Sequence, residues 1–134
     1  MSDLTDDELA FLHAALDLAR QGDAAQLAGY IDAGLPVNLT GPSGDSLLIL
    51  AAYHVHLETV KTLLDRGADT ARLNDRGQTA LGAAVFRRSE PIVRALLAAG
   101  ADPDLGSPSA VEIATFFELP EMAELLAERP SKNP

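Results

Sequence analysis

Between residues 44 and 100 the chain nearly repeats itself at a step of 33. Gly44 returns as Gly77, Leu48 as Leu81, Ala51-Ala52 as Ala84-Val85, and Leu63-Leu64 as Leu96-Leu97. Gly67-Ala68-Asp69 returns as Gly100-Ala101-Asp102. So many matches at one offset do not follow from an Ala- and Leu-rich composition. A period in this range constrains the fold more than any other feature. Each repeat is one supersecondary unit that cannot bury its apolar face alone, so the units must stack into an array. Arrays of this kind usually bind and rarely catalyse.

Local signals predict pairs of helices. Thr5-Asp-Asp-Glu8 reads as a capping box ahead of an apolar run. It predicts a helix to about Arg20, with Leu9, Leu12, Leu16 and Ala19 along one face and Gly22 as a left-handed end. A second helix, about 24–33, turns Leu27, Tyr30 and Ile31 inward and stops at Gly34. Residues 35–44 hold two prolines and two glycines and form a loop or extended hairpin. Ser46 caps a helix of about 46–54, paired with 57–66; after a second ten-residue connection come 79–87 and 90–99. Pro91 is tolerated in a first turn, where N–H groups lack partners anyway. In the last unit Pro120 matches Pro91, Leu125-Leu126 matches Leu96-Leu97, and Gly106 matches Gly77, all at a step of 29. That spacing predicts four residues lost from the connection and helices at about 108–116 and 119–128.

These residues resemble the ankyrin repeat. The third unit carries the motif most fully: Asn74-x-x-Gly77-x-Thr79-Ala-Leu81, then Ala84, Ile92-Val93, Leu96-Leu97 and Gly100-Ala101. The second supplies Gly44-x-Ser46-Leu-Leu48, Ala51-Ala52, His56, Val60, Leu63-Leu64 and Gly67-Ala68-Asp69. The resemblance implies an all-α ankyrin-repeat solenoid of about four helix-turn-helix units with short hairpin-like connections. One domain is expected over 1–130, with units at about 5–34, 41–67, 74–100 and 106–128 and a flexible tail at 131–134. The acidic residues Asp3, Asp6, Asp7 and Glu8 at one end, and Glu118, Glu121, Glu124 and Glu128 at the other, suit capping units with polar outer faces. The chain also departs from the family. Ile49, Gly82 and Val111 stand where the signature His would be, and Val55, Arg88 and Phe117 where Gly usually separates paired helices. A β-branched residue at positive φ is an outlier, so the 53–57 turn is expected to be built differently.

The resemblance places partner contacts on the concave side, formed by the connections and the first helix of each pair. Two columns follow the Ala pairs: Arg20, Tyr53, Phe86, Thr115, and Gln21, His54, Arg87, Phe116. The hairpin positions add Asp45, Leu73, Asp75, Arg76 and Gln78. Aromatic rings and Arg dominate interface hot spots, and three of the six aromatic residues fall in these columns. Against this stands the reading of Tyr53 and Phe86 as peripheral core. The expected partner-binding set is Arg20, Asp45, Tyr53, His54, Leu73, Asp75, Arg76, Gln78, Phe86, Arg87 and Phe116.

Charge and composition narrow the function classes. The chain has 20 acidic and 10 basic residues, net −10, which disfavours nucleic acid and anionic membranes and favours solubility and a basic partner patch. The 61–94 segment is locally the reverse, with seven basic and four acidic residues. Arg72, Arg76, Arg87 and Arg88 could form a basic patch that faces an acidic surface, or an ordinary solvated face. No cysteine is present, which removes disulfides, thiolate zinc sites and cysteine nucleophiles. Without the basic-then-apolar order of a signal peptide or an apolar run of membrane-spanning length, a cytoplasmic location is expected.

Chemistry is sparse. His54-x-His56 needs further ligands to hold a metal, Asp102-Pro-Asp104 lacks a calcium-loop spacing, and Gly41-Pro-Ser-Gly44 lacks the Lys of a phosphate loop. Ser43 and Ser46 have no triad context. No catalytic residue, metal or cofactor is expected. The function expected is a non-catalytic, monomeric protein–protein interaction module. The alternative is an accessory or inhibitory, immunity-like subunit that binds and regulates an enzyme or toxin.

Overall fold

Helix starts are where backbone N–H groups lack partners, and at six of the eight helices among the described residues a side chain supplies one. The computed structural model describes residues 5–128; the expectations for Asp3 and for the polar residues from 129 onward lie outside the described residues. Thr5 accepts from the Glu8 N–H at 3.1 Å and Glu8 accepts from the Thr5 N–H at 2.8 Å, so the capping box opens α1, Asp6–Gln21. Asp23 caps α2, Ala24–Asp32. Ser46 caps α3, Leu47–Tyr53, and α4 follows as Leu57–Asp65. Thr79 caps α5, Ala80–Phe86; Ser89 caps α6, Glu90–Ala98. Ser109 caps α7, Ala110–Phe116, and α8 is Pro120–Ala127. Ser46, Thr79 and Ser109 are buried, so no water can replace a lost hydroxyl there; each cap is worth about 1–2 kcal/mol.

The first helices pack in a row, α1 on α3, α3 on α5, α5 on α7, and the second helices α2, α4, α6 and α8 pack in a row behind them. The core lies between the rows. Leu27, Leu47, Leu48, Leu63, Leu81, Ile92 and Leu96 are fully buried there. Leu63 and Leu96 thus sit as expected, while Leu64 is only half-buried. Leu63→Ala should cost about 2–5 kcal/mol, read by chemical denaturation. Leu9 departs further from expectation, being 40% exposed. Helix α1 has 16 residues against the seven of α3, and its buried residues Ala15, Leu16, Leu18 and Ala19 all lie in its second half.

The inter-helix turns correct one expectation outright. Val55 lies at φ 62°, Arg88 at φ 61° and Glu118 at φ 53°, so the 53–57 turn has the positive-φ geometry that its sequence argued against. The cause is in the backbone. The His56 N–H donates to the Ala51 carbonyl at 2.9 Å and the Val55 N–H to Ala52 at 3.1 Å. Ser89 and Arg88, and then Leu119 and Glu118, repeat the pattern on Ala84 and Val85 and on Ala114 and Thr115. This crossed pair of bonds closes a helix only with a left-handed residue between them. The bonds offset a strain of about 1–2 kcal/mol at Val55, whose side chain is 40% exposed and meets no wall.

A second correction concerns register in the last unit. Ser109 stands to Thr79, and Glu118 to Arg88, at a step of 30, although Gly106 stands to Gly77 at 29. One residue is regained between Gly106 and Ser109. Phe116 is therefore the equivalent of Phe86, and Phe117, not Phe116, the equivalent of Arg87. The Ile49 and Gly82 position is filled by Glu112 and not Val111, and Glu112 closes a capping box on the Ser109 N–H at 2.8 Å.

Candidate protein-binding groove

Along the open side of the first-helix row runs a groove of about 570 Å³. Its floor comes from Ile49, Leu50, Gly82, Ala83 and Ile113. Small residues at the floor let neighbouring helices close up: a Cβ on Gly82 would stand 3.2 Å from the Ile113 Cδ1. One wall is made of rings. Tyr53 and Phe86 stack with centroids 6.4 Å apart and planes at 8°, and Phe86 meets Phe117 edge-on at 5.5 Å. The repeat step puts Tyr53 and Phe86 at equivalent positions, and Phe117, one position further along its unit, extends the line. Tyr53, Phe86 and Phe117 are 43%, 45% and 42% exposed, which fits neither full core nor free side chains.

The opposite wall belongs to the hairpin connections, and buried Asn74 organises it. Its Nδ2 donates to Asp45 Oδ1 and to Gln78 Oε1, each at 2.8 Å. Its Oδ1 accepts from the Arg76 and Gln78 N–H groups, each at 2.9 Å. Arg76 Nε donates back to Gln78 Oε1 at 3.3 Å. Successive hairpins touch closely: the Asp75 N–H donates to the Ser43 carbonyl at 3.0 Å. A Cβ on Gly44, at φ 80°, would come within 2.6 Å of Asp75 Oδ1.

At the rim Arg87 Nη1 donates to the Tyr53 carbonyl at 2.9 Å, and its guanidinium lies 5.2 Å from the Tyr53 ring centroid, within cation–π range. His54 stands edge-on to Tyr53 at 5.2 Å. Burial, and then the charges of His56, Arg20 and Arg87, hold His54 below its ordinary value, so it is neutral at neutral pH. His56 Nε2 donates to the Arg20 carbonyl at 2.7 Å. Gly22 permits that approach, since a Cβ there would meet the His56 ring at 2.5 Å.

Of the residues anticipated from sequence, Arg20, Asp45, Tyr53, His54, Arg76, Gln78 and Phe86 line the groove, and Arg87 packs on one of its rings. Leu73 and Asp75 are exposed on the hairpin but lie outside the lining, as does Phe116, which is 78% exposed. Phe117, Ile113 and Pro108 line it unanticipated. Counting the last unit at its true step of 30 would have put Phe117 in the second column. Among the described residues no three His, Cys, Asp or Glu side chains are placed to hold a metal ion. None of the described helices is long and apolar enough to cross a membrane.

Two rows of short helices, joined by hairpin turns and stacked with one concave side, define a repeat solenoid. The family model for ankyrin repeats in three copies matches residues 11–107, and the chain belongs to the ankyrin repeat family. Among its relatives is a protein of Pseudomonas aeruginosa described as an ankyrin repeat protein, 51% identical over 51 residues, covering 38% of this chain and 30% of that one. The inactive serine/threonine-protein kinase TEX14 of Mus musculus is 35% identical over 99 residues, 73% of this chain but 7% of its own length. The mitochondrial disaggregase of Homo sapiens is 44% identical over 62 residues, covering 46% and 9%. The chain thus spans 30% or less of each of these relatives. Ankyrin repeats are in general protein–protein interaction modules, and the family is typically non-catalytic.

Proposed function

We propose that residues 5–128 act as one domain that binds another protein, not a nucleic acid, along the concave groove, without catalysis. The observation that carries this is the line of half-exposed rings Tyr53, Phe86 and Phe117. Rings half out of water on a rigid helix row are the kind of anchor that dominates interface energy. A monomer lacking its partner leaves them there at a standing hydrophobic cost. Asp45, His54, Arg76, Gln78 and Arg87 surround them as a polar rim, the usual setting of such anchors.

The test is the double change Tyr53→Ala plus Phe86→Ala. Captured partner should be lost while the melting temperature moves little, because both rings already face solvent on one side. Unfolding of the double variant would instead assign the rings to the core and remove the groove from consideration.

A further inference from the structure

Seven arginines lie among the described residues, and they differ in whether a carboxylate stands beside them. Arg20, Arg66, Arg72 and Arg94 meet Asp17, Asp32, Asp69 and Glu90 at 2.6, 2.9, 3.8 and 2.9 Å. Arg76, Arg87 and Arg88 meet no carboxylate within ion-pair distance among the described residues. In a chain with 20 acidic and 10 basic residues, cations without a counter-charge are the opposite of what composition alone would leave. Two of the three stand at the groove. Arg76 lines the groove, Arg87 lies on the Tyr53 ring, and Arg88 is the next residue in the same turn. Arg76 and Arg87 are held in place by single bonds to neutral acceptors, Gln78 Oε1 and the Tyr53 carbonyl. Both guanidiniums keep further N–H donors for an incoming anion.

From this arrangement we infer that the groove takes an acidic peptide segment in which an aromatic side chain stands beside an Asp or Glu. The ring packs on the shelf of Tyr53, Phe86 and Phe117, and the carboxylate meets Arg76 and Arg87. The inference rests on the groove being the protein-binding face. The distribution of charge supports it: the 61–94 segment carries seven basic and four acidic residues inside a molecule of net −10. A positive groove on a negative body attracts an acidic segment locally and repels large polyanions globally. Asp45, which also lines the groove, favours a carboxylate over a phosphoryl group, whose nearly double charge it would oppose.

The experiment is selection of a random peptide library, displayed on phage, against the immobilised chain, followed by affinity measurements on a synthetic peptide of the enriched consensus. The consensus should pair Phe, Tyr or Trp with Asp or Glu. Its affinity should fall about tenfold against Arg76→Glu and against Arg87→Glu, the loss of one charge-assisted contact, with the melting temperature of each variant unchanged. A peptide with Lys in place of the acid should regain affinity for Arg76→Glu. A basic or uncharged consensus, an affinity indifferent to Arg76→Glu, displacement by inorganic phosphate, or no enrichment would each overturn the inference. The groove is tested apart from its ligand class: selected peptides that still need Tyr53 and Phe86 keep it as the binding face, and peptides indifferent to all of these changes remove it.

Discussion

Two clefts on this molecule pair aromatic rings, and they differ in what surrounds the rings. At the start of the helix row Phe11 and Tyr30 meet at 5.0 Å in a cleft of about 450 Å³, bordered by Asp7 and Glu8, with Leu35 and Pro36 below. In the middle Tyr53, Phe86 and Phe117 line a groove of about 570 Å³ beside Arg76 and Arg20. No Lys or Arg lines the first cleft. Exposed rings alone therefore do not single out a binding face on this chain. What distinguishes the central groove is that its rings come with Arg76, which lines it, and Arg87, which lies on the Tyr53 ring, both without a carboxylate within ion-pair distance among the described residues. The first cleft has rings and like charges that would repel an acidic ligand.

Exchanging the rings breaks the comparison most sharply. Tyr53→Ala plus Phe86→Ala should cost about 2–4 kcal/mol of binding, the range of interface hot spots. Phe11→Ala plus Tyr30→Ala should change affinity within about 0.5 kcal/mol; calorimetric titration reads both, and equal losses would erase the distinction. Next comes the wall. Asn74→Ala removes the amide that gathers Asp45, Arg76 and Gln78, and should lower stability by about 2–3 kcal/mol in chemical denaturation while weakening the groove's ligand. The Phe11 cleft, remote from Asn74, should keep its local exchange protection.

Smaller effects sharpen the picture further. Val55→Gly relieves a left-handed β-branched residue and should raise stability by about 0.5–1 kcal/mol, strain relief less the added freedom of the unfolded chain. Binding should not move, because Val55 is outside the groove lining. The smallest effect is in pH. His54 is held below its ordinary value in the folded chain, chiefly by burial. As pH falls past about 6.5 the unfolded chain therefore takes up its proton first. Stability is fullest above that pH and declines until the folded His54 itself is protonated. A His54→Gln variant should lose that slope in denaturation curves recorded across the window.

The helix pairs were legible because capping hydroxyls and apolar pairs recur at fixed spacing, and both act locally. Ser46, Thr79 and Ser109 begin helices for reasons visible within four residues. Tyr53 and Phe86 were legible as a column for the same reason. Phe117 was not, because two anchors misled. Gly106 matches Gly77 at 29, yet Ser107-Pro108 fills a place that Gln78 fills alone. Pro120 matches Pro91 only in appearance, since the first two positions of a helix both accept proline and these two prolines occupy different ones. Val55 misled in another way: residue preference argued against positive φ, but two backbone bonds set the turn and the side chain had only to tolerate it. The pairing state of the arginines was invisible in sequence, because it depends on which carboxylates the stacked helices bring near.

Chemical-shift mapping on the isotopically labelled chain, titrated with the selected acidic aromatic peptide, tests the central claim most directly. Shifts concentrated on the amides of Tyr53, Arg76, Gln78, Phe86 and Phe117, with Phe11 and Tyr30 unmoved, are the predicted result. Shifts concentrated on Phe11, Tyr30 and Leu35, with the central groove silent, would contradict it.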